Sequence, residues 1–177
     1  MINFCFFLTA ALGLIVSQTI LLPSFAWFPY SFDLLIVLVL YLSLAYTHYG
    51  AVLAIAALGV IMDSVSGVPF FFHLFAYLWV YIVVQLLKQV VFQRSLPFMV
   101  AVSLIAVMVQ QVMALFIVFL DHGEEGLLNA DFSELAWQLV LGGLLIPAGI
   151  GLLSLLQDNT KYIIGQIQRE LDRRYRD

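Results

Sequence analysis

Apolar residues fall in six blocks along the chain, parted by short polar, proline-rich or glycine-rich breakers: Phe4 to Leu22, Ser31 to Thr47, Ala51 to Ser66, Phe70 to Leu87, Pro97 to Leu120 and Leu135 to Leu156. A helix needs about 20 apolar residues, with a range of about 17–25, to cross the hydrocarbon of a bilayer. The blocks therefore predict an all-α, polytopic bundle of six transmembrane helices occupying residues 1–157. The remaining residues, 158–177, set Ile164, Ile167 and Leu171 at helical spacing among Arg169, Arg173, Arg174 and Arg176. That pattern predicts a basic amphipathic tail for an anionic membrane surface or a docking partner.

The breakers carry the orientation. All seven Lys and Arg lie in the loop after the fourth block or in the tail. Six spans that start inside place both regions, and both termini, in the cytoplasm. The loop 121–134 has five carboxylates and no Lys or Arg, and reads as a solvated outer loop. It lacks the spacing of a calcium-binding loop. At the N-terminus, Met1-Ile-Asn-Phe-Cys offers no basic region and no small-residue cleavage site, which predicts a retained first span.

Composition strengthens this picture. The chain is 64% hydrophobic and 10% charged, with a mean hydropathy of +1.07, far above a soluble domain. A net charge of −4 argues against a nucleic-acid partner, and the single Cys5 excludes an internal disulfide and disfavours a thiolate metal site. Neither a metal nor any other cofactor is expected. No nucleophile elbow, zinc-protease, P-loop or dinucleotide motif occurs, and Gly59-Val-Ile-Met-Asp63 lacks the G-x-G-D arrangement of paired-aspartate intramembrane proteases. The chain therefore reads as non-enzymatic.

Polar residues inside the blocks are the candidates for function or for packing. Thr9, Gly13 and Ser17 recur every fourth residue and form a small-residue stripe suited to close helix packing. Gln110 and Gln111 lie deep enough in the fifth span to bond across helices, and Pro147, among Gly142, Gly143, Gly149 and Gly151, predicts a kink or very close packing. Asp33 is either a carboxylate in the first turn of the second span, capped by Ser31, or a binding residue. Asp63 lies in the last turn of the third span, where the helix dipole disfavours negative charge, and so needs a partner, water or a proton. It is either functional or bonded to backbone amides of the Ser64–Gly67 turn. His73 follows as an interface residue or a ligand.

A turn at Tyr49-Gly50 brings the two acids to similar depth in a helical hairpin. An outward pocket holding Asp33, Asp63 and His73, roofed by Trp27 and the acidic loop, is the expected site.

At this hairpin the chain resembles the bacterial rod-shape-determining protein MreD family. The resemblance rests on Pro29, Asp33-Leu34-Leu35, Tyr41, Gly50, Gly59, Asp63, Ser66-Gly67, Pro69 and His73, and departs from the family at Phe70-Phe71-Phe72, where Leu-Gly-Leu is usual. It implies a scaffold of the cell-elongation machinery in the inner membrane. The implied partners are MreC, the actin-like MreB, RodA and penicillin-binding protein 2. That family in turn resembles the S components of energy-coupling-factor transporters, so the implied fold is S-component-like. The same likeness supplies an alternative function, a small-molecule-binding transport subunit.

Overall fold

The computed structural model describes residues 2–21, 33–46, 49–67, 71–90, 96–128 and 132–174, and the described residues are helical apart from caps and turns. α1 (Ile2–Val16) continues into one π-helical turn, Ser17–Leu21. After it come α2 (Leu35–Ala45), α3 (Tyr49–Ser66), α4 (Phe72–Val90), α5 (Leu96–Leu128) and α6 (Phe132–Arg174). Ser31, Thr47 and the segment containing Trp27 lie outside the described residues.

α2 is the axle of the bundle. Its sequence, LIVLVLYLSLA, is apolar on every face, and such a helix must be covered all round. Residues 35–43 are all buried, and α2 contacts each of the other five helices. Its 11 residues span only about 16 Å, against about 30 Å of hydrocarbon. The apolar block Ser31 to Thr47 thus overstates the helix. Tyr49 and Gly50, expected in the turn, are the first residues of α3.

Around α2 the contacts run in series α3–α4–α5–α6, tightest between α3 and α4 and next between α5 and α6. Glycines set these approaches. A methyl group on Gly142 would sit 2.5 Å from Val107 Cγ2, and one on Gly149 would sit 2.8 Å from Val37 Cγ1. Gly149 thereby seats α6 directly on the axle. α6 continues through Pro147 without interruption, and Gly142, Gly143 and Gly149 serve close packing within an unbroken helix, whereas Gly151 faces open space.

Four helices are long and apolar enough to cross a membrane: Tyr49–Ser66, Phe72–Gln89, Pro97–Leu120 and Leu135–Gln166. Two shorter apolar helices, Phe6–Ile20 and Leu35–Ala45, accompany them. Large apolar side chains including Leu53, Trp79, Val112 and Leu144 are exposed on the perimeter, as suits contact with lipid.

Two helices run on beyond their apolar blocks. α6 is continuous from Phe132 to Arg174, about 65 Å at 1.5 Å per residue, so the sixth block and the basic segment after it share one helix. The acidic segment is largely helical as well. α5 extends to Leu128 across a break at Gly123, where φ is 64°, and α6 resumes at Phe132.

Candidate functional site

The corner where α3 passes to α4 is built by Gly59 and Asp63, one helical turn apart on the same face of α3. Both are buried. A methyl group on Gly59 would lie 2.5 Å from Leu74 Cα, so glycine lets the two backbones touch. At that separation the short Asp63 side chain reaches the start of α4. Oδ1 accepts the His73 backbone N–H at 2.7 Å and lies 3.0 Å from His73 Nδ1, while Oδ2 accepts the Leu74 N–H at 3.3 Å.

Those amides are the ones an N-cap side chain ordinarily serves. Phe71 occupies the cap position, since its carbonyl accepts the Phe75 N–H at 3.0 Å, but a phenyl ring offers no acceptor. The cap comes instead from the neighbouring helix. One placement thus resolves two dipoles: the carboxylate that would oppose the C-terminus of α3 complements the N-terminus of α4. Its amide partners are in α4, not in the Ser64–Gly67 turn. Gly67 ends α3 with φ of 67°, and Phe71 holds φ of 76°, a left-handed conformation that a bulky residue rarely adopts.

Asp33 forms the second half of the cluster. Its Oδ1 accepts the Leu35 N–H at 3.0 Å, capping α2, and its Oδ2 accepts bonds from the Tyr77 hydroxyl and, at 3.1 Å, from Gln110 Nε2. In the same turn Gln18, from the π-helical segment, accepts the Leu34 N–H at 3.1 Å. Tyr77 lies four residues beyond His73 on the buried face of α4, and the two rings meet at 5.8 Å. Both acids are therefore gathered onto α4 rather than facing each other across an α2–α3 hairpin.

Asp33, Asp63 and His73 come to one end of the bundle, where the segment expected to roof them lies outside the described residues. The carboxylate oxygens are engaged by neighbouring donors, and no buried side-chain nitrogen or oxygen among the described residues lacks a partner. Two cavities occur elsewhere, and both are apolar. One of about 490 Å³ runs between α1 and α3 over α2, touching Phe7, Ala11, Leu42, Ala54 and Leu58. The other, about 440 Å³, is a hollow between α4 and α5 at Trp79, Met108 and Val112. Trp27 lies outside the described residues, and no metal-binding group of three or more His, Cys, Asp or Glu occurs among those described.

Other candidates are dispersed. On α1, Thr9 and Gly13 are exposed, and Thr9 and Ser17 bond back to the Phe6 and Gly13 carbonyls. Among the described residues no helix is seated on Gly13. α1 instead turns Phe7, Ala10, Ala11 and Leu14 to the core. Gln110 reaches Asp33, and Gln111 bonds Gln138 of α6. Pro147 is half-buried and Arg169 exposed; Arg173 and Arg174 fall on the last turn of α6, and Arg176 lies outside the described residues.

The opposite end of the bundle holds a polar cluster the pattern does not announce. Gln85 and Lys88 of α4 donate to the Ser43 carbonyl at the end of α2, and Gln157 of α6 accepts the Tyr41 hydroxyl bond. α4 thus braces α2 at both ends. The spacing of Tyr77, Gln85 and Lys88 from His73 (four, twelve and fifteen residues) is the available signal, since it puts all four near one face of a helix.

No protein-family model, no curated protein and no solved structure matches this chain.

Proposed function

We propose that this protein is a non-enzymatic scaffold of the bacterial elongation machinery. It crosses the inner membrane six times, with both termini in the cytoplasm, holds a single-span partner of the MreC type, and helps couple MreB to peptidoglycan synthesis by RodA and penicillin-binding protein 2. The observation that supports this reading is the convergence of the residues carrying the resemblance. Gly59, Asp63, Gly67 and His73 meet in one corner, and Phe71, standing where the family has glycine, keeps a glycine-like φ of 76°.

A closed interior fits the same reading. Between the Asp33 cluster at one end and the Ser43 cluster at the other, Ile36, Leu38, Leu40, Val80 and Val84 are almost fully buried. Intramembrane acids often line a path. Here a packed apolar layer separates the two polar ends. A small-molecule-binding transport subunit would call for a cavity of roughly 300 Å³ or more with convergent polar groups, whereas the two cavities described are apolar.

The test is a mild-detergent pull-down of the tagged protein from its native membrane, with mass spectrometry of proteins and small molecules. An MreC-like protein and wall-synthesis enzymes co-purify with the wild type, and are lost from an inserted, folded Asp63→Ala variant. Recovery of paired ATPases with a stoichiometric small molecule would overturn the reading.

A further inference from the structure

α1 packs on α2 and makes no extended contact with α3, so a groove of about 490 Å³ is left between α1 and α3 with Leu38 and Leu42 of α2 on its floor. Small side chains make the space. Ala51, Ala54 and Ala57 line the α3 wall, and Ala11 lines the α1 wall. Leu8, Leu12 and Ile61 also line the groove and are exposed, so its mouth opens on the perimeter, toward lipid.

An apolar hollow of this size within a bilayer is filled, because atoms that face a void forfeit their dispersion contacts and an apolar cavity stays dry. A membrane offers helices and hydrocarbon chains to fill it. A helix with its side chains is about 10 Å across, yet Ala11, Leu38, Leu42 and Ala51 are at most 6% accessible to water. The groove is too narrow at its floor to seat a helix. A hydrocarbon chain fits by volume: one benzene in about 150 Å³ corresponds to about 25 Å³ per carbon, which gives the groove room for about 20 carbons. It fits by length as well. From Gly50 to Ile61 the α3 wall runs about 16 Å, close to the hydrocarbon of one leaflet, half of about 30 Å.

We infer that the groove is a binding site for one acyl chain of a membrane phospholipid, taken from the leaflet on the Tyr46 side. Tyr46 is the one polar side chain among the described lining residues, and it stands at the Gly50 end. Its hydroxyl accepts a bond from Gln157 Nε2 at 3.4 Å, and a phenol that accepts one bond still has its proton to give. The ester carbonyl where an acyl chain meets glycerol is the acceptor of matching chemistry. Seated there, the chain completes the packing of α1 against the bundle. The site rests on the size and lining of the groove and is independent of the scaffold reading.

The test uses the full-length protein in nanodiscs of phosphatidylethanolamine and phosphatidylglycerol, doped with a phosphatidylethanolamine that carries a diazirine midway along one acyl chain. After irradiation, mass spectrometry maps the lipid adducts. They are expected to concentrate on the groove residues of α1 and α3 over the α4–α5 hollow at Trp79, Met108 and Val112, which serves as the bulk-lipid reference. Ala54→Phe, whose ring takes the room of about two methylenes, should lower groove labelling about tenfold and leave the reference unchanged. Equal labelling of the two faces in the wild type overturns the site, since bulk lipid alone gives that pattern. A groove that takes no label also overturns it and shows that protein fills the space, whether a segment of this chain or a second copy. So does groove labelling that Ala54→Phe leaves intact. Should that variant fail to insert, the wild-type ratio between the two faces decides alone.

Discussion

Gly59 and Tyr77 are the residues on which the α3–α4 corner turns. At Gly59 an added methyl group meets the Leu74 backbone, which cannot rotate aside as a side chain can. Gly59→Ala is expected to lower stability by about 1–3 kcal/mol, the usual range for overpacking. Gly151, in the same kind of environment by sequence, has nothing within 4 Å of the added atom. Gly151→Ala should be neutral or stabilising by up to about 1 kcal/mol through helix propensity. Thermal unfolding of the two variants in one detergent compares them directly, and equal losses would refute the close approach at Gly59. Tyr77→Phe keeps the ring on His73 but removes a donor to Asp33, and should cost about 1–3 kcal/mol in the same assay.

At the scale of elements, α2 is too short to stand without its neighbours. Its buried apolar faces explain why it is central, and its capped ends explain how so short a helix survives in a bilayer, where unpaired backbone groups are costly. Gln85→Leu leaves the Ser43 carbonyl to Lys88 alone and removes a weaker bond to the Tyr46 carbonyl at 3.4 Å. A loss of about 1 kcal/mol is expected, with faster amide exchange confined to the last turn of α2 and the start of α3. α6 makes a geometric prediction. Spin labels at Leu152 and Arg169, 17 residues apart on one continuous helix, should report a single distance near about 25 Å. A broad or much shorter distribution would mean that the tail folds away from the span onto the membrane surface.

Along the apolar blocks the described bundle is apolar outside as well as inside, with polar clusters at its two ends. Trp79 and Trp137 are 50% and 56% exposed on the perimeter. In a Trp27→Phe background their fluorescence should be quenched by lipids brominated along the acyl chain, whereas a water-soluble quencher should have little effect. The reverse pattern would place this perimeter against protein or water.

Much of this architecture is legible in the residues alone. Apolar blocks, their length and the breakers between them determine a helical membrane protein, because the cost of burying polar backbone in hydrocarbon depends on local composition and forces helices. The need of Asp63 for a partner was equally legible, since a carboxylate at the end of a helix opposes the dipole whatever surrounds it. Where that partner comes from was not. The cap of α4 depends on Gly59 admitting the Leu74 backbone, and the fate of Asp33 depends on which face α4 and α5 turn inward to bring Tyr77 and Gln110 to it. Hydropathy carries no information on helix rotation or approach distance. The tertiary structure alone therefore decided that the shortest helix is the axle and that both acids bond to groups on α4.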